Sequence, residues 1–306
     1  MYLEYFGCDY LPFSLTPNTQ QYFGAQCHHD AIVTLNHALV SGEGFIKVVG
    51  EVGTGKTLLC RKLLNEMPQN IYTAYIPNPF LSPGELRTAV AKELGVAITA
   101  QTDQQAFTQI IQERLIALHN QFDHVVLVID EAQALPVESM EALRLITNFE
   151  TETQKLLQVV LIGQPELDDK IGLPELRQLK QRITFSCELK ELNAAQIYDY
   201  IRHRMVKAGY SGPEIFSFEA CEMIQKATRG TPRIVNVLCH KVLMLLYGQG
   251  QYYATPEHIR IAALDTEACL PVTLPWRLDC KAQWRTAALC TGALCTLIIC
   301  LPLIQG

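Results

Sequence analysis

The octapeptide GEVGTGKT at residues 50–57 constrains the fold of this chain more than any other segment. Gly50, Gly55, Lys56 and Thr57 complete the pattern G-x-x-x-x-G-K-[ST], which is typical of a phosphate-binding loop. Such a loop joins a buried strand to a helix, because the helix N-terminus offers unpaired N–H groups and a positive dipole to a phosphate. The flanking segments fit this arrangement, since GFIKVV has strand composition and LLCRKLLNEM has helical spacing.

This loop predicts a binding site for a nucleoside triphosphate, ATP or GTP, together with Mg²⁺. Lys56 is expected to place its charge at the β- and γ-phosphates, and the Thr57 hydroxyl is expected to face Mg²⁺. The predicted nucleotide-binding residues are Gly50, Glu51, Val52, Gly53, Thr54, Gly55, Lys56, Thr57 and Leu58. A glycine-rich turn with a surface lysine is the alternative interpretation, but the strand and helix patterns on either side favour the nucleotide site.

An acidic pair, Asp130-Glu131, follows the five consecutive aliphatic residues 125–129. Such a run predicts a strand that is buried on both faces of a parallel sheet. Asp130 is expected to share the Mg²⁺ site with Thr57, and Glu131 is expected to activate a water molecule for attack on the γ-phosphorus. The alternative is that DEAQ forms only a polar helix N-terminus, where acidic residues favour the dipole.

Three further residues are candidates for catalysis. Gln164 follows the strand-like segment at 156–163, so its amide is expected at the same sheet edge as the acidic pair, near the γ-phosphate. Arg182 or Arg177 could reach the γ-phosphate of a neighbouring subunit. Arg233 begins a helix whose dipole it opposes, which suggests a phosphate partner. An ordinary turn and solvated surface charges remain the alternatives at these positions.

Alternating strand and helix patterns predict a doubly wound α/β sheet, and the helical patterns that follow predict a small all-helical lid domain. The predicted parts are an N-terminal lead-in and helix (1–40), a nucleotide-binding core (41–192), the lid (193–270), a basic juxtamembrane linker (271–285) and a hydrophobic helix (286–306). The 306-residue chain, with 49% hydrophobic residues, is long enough for two cores. Its eleven scattered cysteines, without a C-x-x-C pair, indicate a reducing compartment.

The C-terminal segment 286–306 carries no charged residue and contains AALCTGALCTLIICLPLI. Three basic residues and both tryptophans of the chain precede it, which is typical of a membrane helix with its N-terminal side in the cytoplasm. We therefore expect the preceding domains at the cytoplasmic face of a membrane, with a single pass through this helix. A buried C-terminal core helix is the alternative, because the segment is short for a bilayer and contains Pro302.

Together these motifs resemble the AAA+ ATPases of the ExeA/GspA general secretion group. The resemblance rests on GEVGTGKT, DEAQ, GQPEL, QRI and GTPR, and on the opening MYLEYFG…PFSLTP, so that it covers nearly all of residues 1–270. It implies that Gln164 is the sensor-1 residue, Arg182 the arginine finger and Arg233 the sensor-2 residue. It also implies that Asn78 restrains the catalytic glutamate until a partner binds.

The resemblance further implies a homo-oligomer, ring-like or dimer-based, that drives assembly or remodelling of a bacterial envelope machine. Longer members of the group carry a peptidoglycan-binding domain after the membrane helix, whereas this sequence stops at Gly306 and is similar to the short MshM type of the MSHA type IV pilus. The expected partners are therefore inner-membrane pilus or secretion assembly proteins. Two alternatives stay open: a DNA-associated AAA+ ATPase of the transposition or replication-initiation type, and a nucleotide-gated scaffold that hydrolyses poorly. The net charge of −6 and the pI of about 5.8 argue against a nucleic-acid partner.

Overall fold

The central sheet has five parallel strands, and their hydrophobic runs explain why they lie in the middle of the molecule. The strands are β1 (Phe45–Gly50), β2 (Ile71–Ile76), β3 (His124–Ile129), β4 (Gln158–Gly163) and β5 (Ile183–Leu189). The order across the sheet is β2-β3-β4-β1-β5. In the computed structural model, residues 2–16, 19–96, 104–150 and 155–273 are described.

Helices cover both faces of the sheet and then continue into the lid. The N-terminal helix α1 (Tyr2–Phe6) packs against the lid. The helices around the sheet are α2 (Gln26–Val40), α3 (Lys56–Glu66), α4 (Pro83–Glu93), α5 (Gln104–His119), α6 (Val137–Ile146), α7 (Glu166–Ile171) and α8 (Arg177–Lys180). The lid helices are α9 (Ala194–Lys207), α10 (Phe218–Thr228), α11 (Pro232–Gln249) and α12 (Pro256–Leu264). Core and lid belong to one compact unit, Met1–Pro271.

Strand β3 shows why the sheet must be covered on both sides. Because successive side chains of a strand point to opposite faces, Val125, Leu127 and Ile129 belong to one hydrophobic cluster. Val126 and Val128 belong to the other cluster, on the opposite face. Helices α4, α5 and α6 pack against the first face, and α2 and α3 pack against the second. The predicted doubly wound α/β class with a helical lid is confirmed.

The strand order brings three separate loops together. Strand β4 lies between β1 and β3, with Val49 paired to Gly163 and Ile129 paired to Leu161. All three strands run parallel, so the phosphate-binding loop, the acidic pair and Gln164 leave the sheet at adjacent positions on its carboxyl edge. This adjacency is what builds the candidate site.

The predicted hydrophobic helix (286–306) and most of the predicted linker (271–285) lie outside the residues that the structure describes. None of the helices in the described ranges combines the length and the apolar character that a membrane crossing requires. The seven cysteines in the described part of the chain are free thiols.

Candidate nucleotide-binding site

The phosphate-binding loop contains backbone conformations that strongly favour glycine. Gly53 and Gly55 have φ of 85° and 101°, and Gly55 directly precedes the first residue of α3. An added Cβ at Gly53 would lie 2.7 Å from the Arg233 Cβ. The Arg233 backbone N–H also donates to the Gly53 carbonyl at 3.2 Å, so the first turn of α11 in the lid rests directly on the loop.

Lys56 is a buried cation inside this loop, with only 5% of its surface exposed. Its Nζ donates to the Gly50 carbonyl at 2.7 Å and to the Glu51 carbonyl at 2.9 Å. Burial lowers the pKa of Lys56, while Glu131 and Asp130 act in the opposite direction. An ammonium group in a glycine cradle at a helix N-terminus is a suitable partner for a nucleotide phosphate.

Asp130 and Thr57 form a small oxygen-rich site beside Lys56. The Asp130 carboxylate is almost fully buried, accepts from the Glu131 backbone N–H at 2.9 Å and hydrogen-bonds the Thr57 side chain. Burial raises the pKa of Asp130, and the Glu131 N–H and Thr57 lower it. Hydroxyl and carboxylate oxygens fit Mg²⁺, which is usually held by one or two carboxylates together with phosphates and water. The described ranges contain no cluster of three or more His, Cys, Asp or Glu side chains that could hold a metal ion without such help.

Glu131 has an unusual backbone and a well-defined side chain. Its φ of 51° and ψ of 38° place a non-glycine residue in the left-handed region, a strained conformation that is common at functional sites. The carboxylate oxygen Oε2 accepts from the Gln133 Nε2 at 2.6 Å and from the Gln164 Nε2 at 3.1 Å. Gln164 therefore lies beside Glu131, where the sequence placed it, whereas Gln133 was not predicted.

A cavity of about 230 Å³ lies between the loop, the lid and the N-terminal segment. Its walls combine the predicted Lys56, Thr57, Glu131, Gln164 and Arg233 with Ser14, Leu15, Thr16, Tyr200, Arg204 and Asn236, which were not predicted. A larger cavity of about 480 Å³ lies within the lid, but neither the phosphate-binding loop nor the acidic pair lines it.

Arg204 holds the N-terminal segment in place, so that this segment forms one wall of the nucleotide cavity. This arginine is buried, and its Nε donates to the Pro12 carbonyl at 2.6 Å while Nη2 donates to the Ser14 carbonyl at 3.0 Å. The neighbouring Tyr200 hydroxyl donates to Asn236 Oδ1 at 2.8 Å, which connects α9 to α11. The only signal in the sequence would have been an arginine on the apolar face of α9.

His28, on α2, hydrogen-bonds the backbone of the phosphate-binding loop. Its Nε2–H donates to the Thr54 carbonyl at 2.9 Å, and a Cβ on Gly55 would lie 3.0 Å from the same nitrogen. Burial lowers the pKa of His28, so the neutral ring is the form that fits this position. The sequence gives no local sign of this contact, since the two residues are 26 positions apart.

The candidate arginine finger lies away from this cavity. Arg182 directly precedes β5, at the amino edge of the parallel sheet, and its Nη1 donates weakly to the Arg144 carbonyl at 3.4 Å. Arg177 begins the short helix α8 on the same side. Asn78 lies in an exposed loop, where its Oδ1 accepts from the Phe80 N–H at 3.4 Å. The hydrogen bonds described for the Glu131 carboxylate come from Gln133 and Gln164.

Comparison with known proteins agrees with the fold described above. A family model described as an AAA domain matches residues 38–171. The structure of the ORC2 protein of Aeropyrum pernix, in ADPNP and ADP complexes, aligns with a TM-score of 0.60 at 15% identity. The alignment covers 85% of this chain and 72% of the ORC2 chain. Cdc6p of Pyrobaculum aerophilum has a TM-score of 0.60 at 18% identity, covering 83% and 70%. At 15% and 18% identity these two structures show the fold alone, and the family model shows an AAA domain at residues 38–171.

A more specific relationship comes from sequence. General secretion pathway protein A of Aeromonas hydrophila is 37% identical over 265 residues, which is 87% of this chain. The chain is thus a relative of General secretion pathway protein A, and it spans 48% of the length of that protein.

Proposed function

We propose that this protein binds ATP with Mg²⁺ and hydrolyses it to ADP and phosphate. The observation that carries the proposal is that Lys56, Thr57 and Glu131 line one cavity, while Asp130 hydrogen-bonds the Thr57 side chain behind it. Lys56 would bind the β- and γ-phosphates, and Thr57 with Asp130 would hold Mg²⁺. The metal ion, when bound, would withdraw charge from the phosphate oxygens.

The remaining residues then have distinct roles in the reaction. Glu131 accepts a proton from a water molecule, whose oxygen bonds to the γ-phosphorus as the bond to the ADP oxygen breaks. Gln164 donates from the same sheet edge and orients the water or a γ-phosphate oxygen. Arg233, at the start of α11, contacts the phosphates from the lid side of the cavity. Arg182 of one subunit acts at the site of a neighbour in a homo-oligomer, because it lies at the opposite edge of its own sheet.

Two substitutions separate binding from hydrolysis. Lys56→Ala is expected to abolish tight ATP binding, because it removes the cation from the phosphate cradle. Glu131→Gln is expected to retain binding and to lower turnover by about 10²- to 10⁴-fold, since the amide cannot accept the proton. Lys92→Ala, at an exposed position on α4, is the control and should match the wild type. Unchanged ATP affinity in Lys56→Ala, measured by titration, would refute the site.

We further propose that ATP turnover drives assembly or remodelling of a bacterial envelope machine, either a type II secretion system or an MSHA-type pilus. The support is the 37% identity to General secretion pathway protein A. The protein would then act at the cytoplasmic face of the inner membrane, together with membrane-bound assembly proteins. Turnover should respond to inner-membrane vesicles that contain those proteins and should not respond to duplex DNA. Stimulation by DNA alone would instead favour the DNA-associated class of AAA+ ATPase.

A further inference from the structure

Gln133 connects the ends of two neighbouring strands through its side-chain amide. Its Nε2 donates to Glu131 Oε2 at 2.6 Å, and its Oε1 accepts from the backbone N–H of Gln164 at 3.1 Å. Reversing the amide would place its oxygen against the carboxylate and its NH₂ group against an N–H donor. Both partners therefore fix one orientation of this amide.

The backbone that carries Gln133 is also held in place. Lys170, from α7, donates its ammonium group to the carbonyls of Gln133 and Leu135. On the other side, a Cβ added to Gly163 would lie 3.0 Å from the Gln133 Oε1, so little space remains around the amide. The backbone and the side-chain amide of Gln133 are therefore both held in one position, so that the amide can orient a neighbouring side chain.

The side chain that Gln133 orients is Glu131. Oxygen Oε2 of Glu131 receives both the Gln133 amide and the Gln164 amide, which leaves Oε1 as the oxygen available to a water molecule. Glu131 lines the nucleotide cavity together with Lys56, and its charge opposes the lowering of the Lys56 pKa by burial. The carboxylate thus already faces the phosphate-binding end of the cavity.

We infer that Gln133 is a positioning residue for ATP hydrolysis, which binds Oε2 of Glu131 so that Oε1 accepts the proton of the attacking water. The inference rests on the proposed role of Glu131 as the base. Gln133 itself is not among the described residues that line the cavity, so it acts through Glu131 and not on the nucleotide. If Gln133 instead held Glu131 away from the nucleotide, removal of Gln133 would raise the rate of ATP turnover.

Two substitutions at this position test the inference in the full-length protein. Gln133→Ala is expected to lower kcat by about 10²-fold, because small misplacements of a catalytic group have effects of this size. KM and ATP affinity should change by less than about threefold, since the residue acts only in the chemical step. Gln109→Ala, which removes an exposed amide on α5, is the matched control and should leave all three values unchanged.

Gln133→Glu keeps the shape of the side chain and replaces the donor by a carboxylate beside Glu131. At neutral pH the two charges repel each other, so kcat is expected to fall. As the pH decreases, the substituted carboxyl binds a proton and donates again to Oε2. The activity optimum of this variant should therefore lie at lower pH than that of the wild type, an effect that a purely structural role would not produce. This variant also keeps the test possible if Gln133→Ala does not fold.

A double substitution distinguishes this inference from the proposed function itself. If Gln133 acts through Glu131, Gln133→Ala should have no further effect on turnover in a Glu131→Gln background. Independent, multiplying effects would overturn the inference, and so would higher turnover in Gln133→Ala alone. If Glu131→Gln hydrolyses ATP at the wild-type rate, the assignment of the base fails, whatever the variants of Gln133 show.

Discussion

Substitution of Gly53 by alanine tests whether the contact between the phosphate-binding loop and the lid contributes to ATP binding. Gly53 has a φ of 85°, and the added Cβ would meet the Arg233 Cβ at 2.7 Å and the Thr231 Cγ2 at 3.1 Å. Both atoms belong to the segment that begins α11. Either the loop or the lid must move to accommodate the methyl group, and both line the nucleotide cavity.

The expected loss of folding stability in Gly53→Ala has two contributions. A left-handed backbone costs a non-glycine residue about 1–2 kcal/mol, and overpacking costs about 1–3 kcal/mol more. Gly42→Ala isolates the first part, because Gly42 has a φ of 75° and nothing lies within 4 Å of its added Cβ. The difference between the two variants is thus about 1–3 kcal/mol in folding stability. The free protein can relieve the clash by moving the lid, and ATP binding then has to restore the contact, so the loss of ATP affinity has an upper limit of about 150-fold.

The assay combines thermal unfolding without nucleotide with titration of a fluorescent ATP analogue. Gly42→Ala should lower the unfolding temperature and leave the affinity for the analogue unchanged. Gly53→Ala should lower both. If the two variants bind the analogue equally well, the lid contact at Gly53 does not contribute to the nucleotide site, and the reasoning is refuted.

Two further predictions concern assembly and pH. Arg182→Ala should bind ATP normally but hydrolyse it about 10³-fold more slowly, and mixing it with Glu131→Gln should restore part of the activity through sites that combine an intact glutamate with a donated arginine. Mixed oligomers that show no rescue would exclude a role in trans. Because burial lowers the pKa of His28 from 6.5, the unfolded chain takes up its proton first, and the free energy of unfolding should fall as the pH drops from 6.5 towards the folded pKa. His28→Gln should reduce this slope in urea denaturation between about pH 7.5 and 5.5, and an unchanged slope would contradict the assignment.

The sequence was most informative where chemistry and secondary structure coincide within a few residues. The phosphate-binding loop needs a strand, glycines and a helix in direct succession, so its position and fold could be predicted together. The run at 125–129 is hydrophobic on both faces, which identified a central strand and hence the carboxyl edge that carries Asp130 and Glu131. Their spatial approach to Lys56 followed from the general topology of parallel sheets.

The supporting residues could not be predicted, because their roles depend on contacts between distant segments. His28 reaches Thr54 only through the packing of α2 against α3, and Arg204 reaches Pro12 across 192 positions. The strand order, which places β4 between β1 and β3, is equally non-local. Gln133 was visible in DEAQ, but its function depends on the position of Gln164 in the next strand loop.

The attachment of the N-terminal segment to the lid has a practical consequence for protein production. Arg204 holds the Pro12 and Ser14 carbonyls, and the Tyr5 ring stacks on the Tyr252 ring at 4.4 Å between centroids. A truncation that starts shortly before the phosphate-binding motif would retain every predicted catalytic residue. It would nevertheless remove one wall of the cavity and leave a buried guanidinium without two of its acceptors, so expression vectors should begin upstream of Tyr2.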